Sequence, residues 1–133
     1  VADARGGWFL HIGDGVAACA FSDGTADAVS LPANGEYANE TWFVTGANWR
    51  QQLRLTRFEG AVQALVLMSD GVQPFAMGRR GDTLFQPFFG PVLRYLSAVD
   101  EAHGSQALQA TLSDPRTDGI TGDDKTLLIA LPG

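Results

Sequence analysis

Only one cysteine, Cys19, and two histidines, His11 and His103, occur in the 133 residues. A lone thiol excludes an internal disulfide. It lies in the apolar run VAACAF with no basic neighbour to depress its pKa, so it reads as a buried structural residue. The histidines are far apart and neither has a partner at metal-ligand spacing, which leaves zinc poorly served. His11 reads as a strand residue facing a polar layer, and His103 as a solvated residue in a turn between helices. Positive charge is scarce as well: nine Lys and Arg stand against fifteen Asp and Glu, for a net charge of -6. No basic cluster exceeds Arg79-Arg80, which excludes the basic face of a nucleic-acid binder. The longest apolar runs, ALVLM and TLLIAL, fall far short of the ~20 residues of a membrane helix. Nucleophile and nucleotide motifs are missing too, with no G-x-S-x-G elbow, Walker A loop or G-x-G-x-x-G. Neither an initiator Met nor a signal-type segment opens the chain. VADARGGWFLHIG reads as a turn entering a strand, so an upstream segment is expected. Cysteine usage suits a reducing, cytoplasmic setting.

The length suffices for one domain with a real core. Short apolar runs separated by turn residues predict strands at 7–13, 16–22, 27–31, 40–46, 51–59, 61–71 and 125–131. Residues 8–22 read as a hairpin around Gly13-Asp14-Gly15. In 51–59, Leu53 and Leu55 share one face and Arg54 and Thr56 the other, as in a half-buried strand. The run 61–71 is apolar nearly throughout, as in a central strand covered on both faces. Three- and four-residue apolar spacings predict an amphipathic helix over 83–99, continuous only from about Pro91. A second helix is predicted at 105–114 with Ser105 as N-cap, then a polar loop. Strands, then a helix pair, then a strand argue an α+β fold with mainly antiparallel sheets.

Three acids stand at strand ends. Asp14 follows WFLHI, Asp70 follows ALVLM, and Asp123 precedes TLLIAL with Asp124 beside it. Asp-Gly is a common turn dipeptide and needs no ligand to explain it. The vicinal pair Asp123-Asp124 is harder to explain by turn chemistry, because adjacent carboxylates repel by about 1 kcal/mol in water and more near an apolar core. A divalent cation turns that repulsion into attraction. Oxygen-only ligands select Mg²⁺ or Mn²⁺. Carboxylate-held cations without a side-chain nucleophile suggest a metal-activated water attacking phosphorus.

In order, HIGDG, GEYANETWFVT, LVLMSDGV and TGDDKTLLIAL resemble the bacterial branch of the type 2C (PPM) metal-dependent Ser/Thr protein phosphatases, over nearly the whole chain. The resemblance implies an α-β-β-α sandwich with two Mn²⁺ or Mg²⁺ ions, and a more weakly held third, at one edge. It implies hydrolysis of phosphoserine or phosphothreonine in a phosphoprotein substrate. Asp70 and Asp123 would be metal ligands and Asp14 would help the third ion. Asp124, where many members carry Asn, would lie behind the ligands, and Gly71 would leave backbone room. Glu36, Asn39 and Thr41 would be structural. The family's acidic pair, its bridging Asp-Gly turn and its phosphate-holding Arg lie upstream of HIGDG. Residues 1–133 therefore resemble the C-terminal part of a single phosphatase domain and are expected to be inactive alone. The upstream segment, or another copy of the chain, would complete the sheets. A Ser/Thr kinase is an expected partner, and the alternative is a non-catalytic module that docks on a kinase or another signalling protein.

Overall fold

The structure, a computed structural model, describes residues 1–32 and 41–132. The turn predicted at PANGEY, residues Glu36 and Asn39, and the start of the strand predicted at 40–46 lie outside them.

Among the described residues seven strands form two antiparallel sheets. The first sheet holds β1 (Ala2–Asp3), β2 (Gly6–His11) and β5 (Arg54–Glu59), in the order β1-β2-β5. The second holds β3 (Val16–Phe21), β4 (Ala28–Ser30), β6 (Val62–Met68) and β7 (Leu127–Ala130), in the order β4-β3-β6-β7. The described residues also form helices α1 (Trp49–Gln52), α2 (Gln73–Ala76), α3 (Gln86–Leu96), α4 (Glu101–Leu112) and α5 (Pro115–Asp118). The helix pair α3 and α4 falls between β6 and β7, as expected of part of an α-β-β-α sandwich.

β3 shows why the layers stack. All six of its residues are buried. Val16, Ala18 and Ala20 point to one face and pack with Val72, Ala76, Leu84, Phe89 and Leu93 from the helical side. Ala17, Cys19 and Phe21 point to the other face and pack with Phe9 and Phe58 of the first sheet. The period of two along the strand thus feeds two cores at once. Small side chains let both neighbouring layers approach.

The predicted hairpin at 8–22 does not form: β2 and β3 belong to different sheets. A type I′ turn would need positive φ at Asp14 and Gly15. Instead Gly13 takes φ +107, and residues 12–15 carry the chain from one sheet to the other. Gly15 must stay bare there, because a Cβ would come within 2.8 Å of the Met68 carbonyl oxygen.

Other boundaries also differ. Residues 41–46 form no strand, and Gln51 and Gln52 belong to α1. In β5 the inward face is Thr56 and Phe58, while Leu55 lies on the outer face opposite Leu10. β6 is central, but only its helix-side face is fully covered, since Leu67 is 45% exposed. Helix α3 runs unbroken through Pro91. Gly90 precedes that proline, and without a Cβ it relieves the clash that normally disfavours helix before proline. α4 begins four residues before the predicted start, capped by Asp100, whose side chain accepts the His103 N–H. His103 is therefore in the first turn of a helix, exposed, with Nδ1 2.9 Å from Asp100 Oδ1. The loop after α4 contains α5, with Asp114 as its cap and Pro115 at its first position. Among the described residues no helix is long and apolar enough to cross a membrane.

Candidate metal centre

Strand register gathers the acids at one edge. Met68, the last residue of β6, pairs with Val16 at the start of β3 and with Leu127 at the start of β7. Asp70 leaves the edge just after Met68, Asp14 sits just before Val16, and Asp123 and Asp124 sit just before Leu127. Adjacent strands are about 4.8 Å apart, so all three strand ends open on the same rim.

Backbone contacts tie this rim together. Ser69 N–H donates to the Thr126 carbonyl at 3.0 Å. Thr126 N–H donates to Ser69 Oγ at 3.0 Å, and that hydroxyl donates to the Asp124 carbonyl at 3.2 Å. Gly71 is buried against the opposing loop: a Cβ there would lie 3.1 Å from the Asp124 carbonyl carbon and 3.2 Å from that of Asp123. Only a glycine lets the exit of β6 and the entry of β7 close on each other.

Each acid is oriented locally. Asp70 opens a short 3-10 turn, and its Oδ1 accepts the N–H of the next residue, Gly71, at 2.8 Å, which engages one of its two oxygens. Asp123 N–H donates to Thr121 Oγ1 at 3.2 Å, and that hydroxyl lies 3.5 Å from Asp123 Oδ2. Asp14 Oδ2 accepts the Thr41 hydroxyl at 2.9 Å, and its carbonyl accepts the Gln73 side-chain amide at 2.8 Å. Lys125 does not neutralise Asp124; its ammonium pairs with Asp118 at 2.7 Å.

Sequence reasoning missed Gln73 and Thr121. The spacing Thr121-Gly122-Asp123 is the signal for a hydroxyl turn that supports the acid. No local pattern marks Gln73, which reaches Asp14 across 59 positions. Two other groups stand aside from the rim. Burial pushes the Cys19 thiol up to about 11, with the Asp27 charge adding to it, so the thiol is inert. Burial holds His11 below its ordinary value. Its Nδ1 lies 3.2 Å from Ser30 Oγ, and its Nε2 is buried without a hydrogen-bond partner among the described residues.

The donor set suits a hard divalent cation in kind, because the rim offers carboxylate oxygens. In number it is incomplete. Among the described residues no group of three or more His, Cys, Asp or Glu side chains converges as a metal cage. A magnesium-like ion here would draw its remaining ligands from water or from other polypeptide.

The family described as protein phosphatase 2C matches residues 1–113. The chain belongs to that family. Asp14 and Asp70 fall inside the matched span, and Asp123 lies beyond it. Serine/threonine-protein phosphatase 3 of Escherichia coli (strain K12) is 29% identical over 134 residues, which cover 98% of this chain and 53% of that protein. The chain thus spans about half the length of this relative. No solved structure gives a significant match.

Proposed function

We propose that the domain to which residues 1–133 contribute hydrolyses phosphoserine and phosphothreonine in proteins. The supporting observation is the seating of Gly71 against Asp123-Asp124, which holds Asp70 and Asp123 on one rim. In this reading Asp70 and Asp123 hold Mn²⁺ or Mg²⁺, and Asp14 assists a more weakly held ion. Bound there, the ions would polarise the phosphoryl oxygens and lower the pKa of the attacking water.

The residues of this chain then have distinct tasks. Asp70 presents the carboxylate oxygen that its own turn leaves free. Thr121 fixes the loop that carries Asp123. Gly71 and Ser69 keep the two strand ends in register, and Asp124 acts through its backbone carbonyl rather than as a ligand. Residues 1–133 form the C-terminal part of a single domain and are inactive alone, a reading supported by the incomplete donor set. A cytoplasmic setting and a partner Ser/Thr kinase belong to the same proposal.

Manganese-dependent hydrolysis of an aryl phosphate by the full-length protein tests it. Asp70→Asn and Asp123→Asn are each expected to lower kcat at least a hundredfold, because each removes a charge-bearing ligand. Unchanged turnover in either variant would remove the metal role from that residue.

A further inference from the structure

Arg79 and Arg80 occupy the tip of a tight turn just downstream of the candidate metal centre. Gly81 N–H donates to the Gly78 carbonyl at 2.8 Å, and Gly78 N–H donates to the Thr83 carbonyl at 2.8 Å. Gly81 takes φ +73, which lets the turn close. Its base is well anchored. Leu84 is buried, its N–H bonded to Asp27 Oδ2 at 3.0 Å, and Phe85 N–H donates to the Ala76 carbonyl at 2.8 Å.

Both guanidinium groups are exposed, and neither forms an ion pair among the described residues. Asp82, on the same turn, pairs with neither. The turn borders a groove of about 670 Å³ whose walls include Pro74, Phe75, Met77 and Phe85. Gln73 lines the same groove and also donates its side-chain amide to the Asp14 carbonyl. Gln73 therefore stands between the groove and the acidic rim.

We infer that this groove, with Arg79 and Arg80 at its edge, is a docking subsite for an acidic stretch of the phosphoprotein substrate next to the phosphorylated residue. The inference rests on the phosphatase reading above. Charge complementarity selects the occupant. A chain of net charge -6 repels an acidic peptide over most of its surface, and two unpaired arginines on a braced turn reverse the sign locally. Guanidinium groups bind carboxylates in paired hydrogen bonds, and the turn spends little entropy in presenting them. The aromatic walls take up the apolar side chains between the charges.

Two measurements on the full-length protein test this. The first compares kcat/KM for a phosphopeptide flanked by three glutamates, a neutral-flanked phosphopeptide and an aryl phosphate. R79E/R80E is expected to lower kcat/KM roughly tenfold for the acidic peptide alone, mainly through KM, and the loss should fade at high salt. R79Q/R80Q should show a smaller loss of the same pattern, which separates lost charge from misfolding. The second measures binding of the fluorescent acidic phosphopeptide by anisotropy with a chelator present, where Kd should rise about tenfold in R79E/R80E. Equal losses on acidic and neutral peptides, or no change in peptide affinity, overturn the subsite. If the wild-type protein fails to hydrolyse the aryl phosphate, the phosphatase reading falls, and the anisotropy measurement still decides the groove.

Discussion

At the scale of single residues, Gly71 leaves no room for a side chain. The atoms that a methyl group would meet there are backbone, so they cannot swing aside as a side-chain tip would. Gly71→Ala is expected to cost about 1–3 kcal/mol of stability, as overpacking does elsewhere. It should also weaken Mn²⁺ binding measured by calorimetry, because β6 and β7 must separate at the rim. Normal stability with normal metal affinity would show that the strand ends are not held by this contact.

Asp27 offers a residue-scale test through pH. Burial raises its pKa above 3.8, and the Leu84 N–H that it accepts pulls the other way without cancelling the effect. Between 3.8 and the raised value the folded protein binds more protons than the unfolded chain. The stability that Asp27 contributes is therefore complete below 3.8 and is lost as pH rises through the folded value. Asn at this position keeps an acceptor for Leu84 and removes the charge. Urea denaturation from just below pH 3.8 to neutral should show Asp27→Asn gaining on the wild-type protein as pH rises. A constant difference would mean that the charged carboxyl is solvated after all.

At the scale of elements, Pro91 is the conspicuous cost. It lies exposed inside α3, where it removes one backbone hydrogen bond. Because the helix forms regardless, Pro91→Ala should stabilise the protein by about 1–3 kcal/mol in denaturant titrations. Loss of stability would mean that the proline sets the helix's path. Periodicity found α3, yet proline chemistry argued against its first turn, and tertiary packing of Phe89 and Leu93 decided the matter. The strand ends that carry Asp14, Asp70 and Asp123 were legible because apolar runs stop sharply at charge. Their shared rim is set by the register that pairs Met68 with Val16 and with Leu127. The hairpin at 8–22 was misread because turn dipeptides report a change of direction, not the layer the chain enters next. In β5 the alternation was visible, but which face was buried depended on Phe9 and Phe58 meeting across the sheet. That is a long-range fact with no local signature.

At the scale of the whole molecule, the two sheets do not match in width among the described residues. Three strands, one of them two residues long, face four. Leu67 and Leu128 are cross-strand partners on the sandwich side of the wider sheet, yet they remain 45% and 53% exposed. On the outer face of the narrower sheet, the partners Leu10 and Leu55 are 64% and 60% exposed. Apolar faces of this kind associate with something. The proposed completing segment, or a second copy, would cover them. L67K/L128E separates a covered face from a solvated one, because an opposite-charge pair across the strands preserves local pairing by roughly 0.2–1 kcal/mol. In the 133-residue chain alone the double variant should reduce self-association seen by sedimentation. In the full-length protein it should destabilise, since two charges would then be buried under the completing strands. Monomeric behaviour of the unsubstituted chain, or a full-length protein indifferent to the change, would show that water is the natural neighbour of this face. It would also sink the idea that the sandwich is finished by further polypeptide.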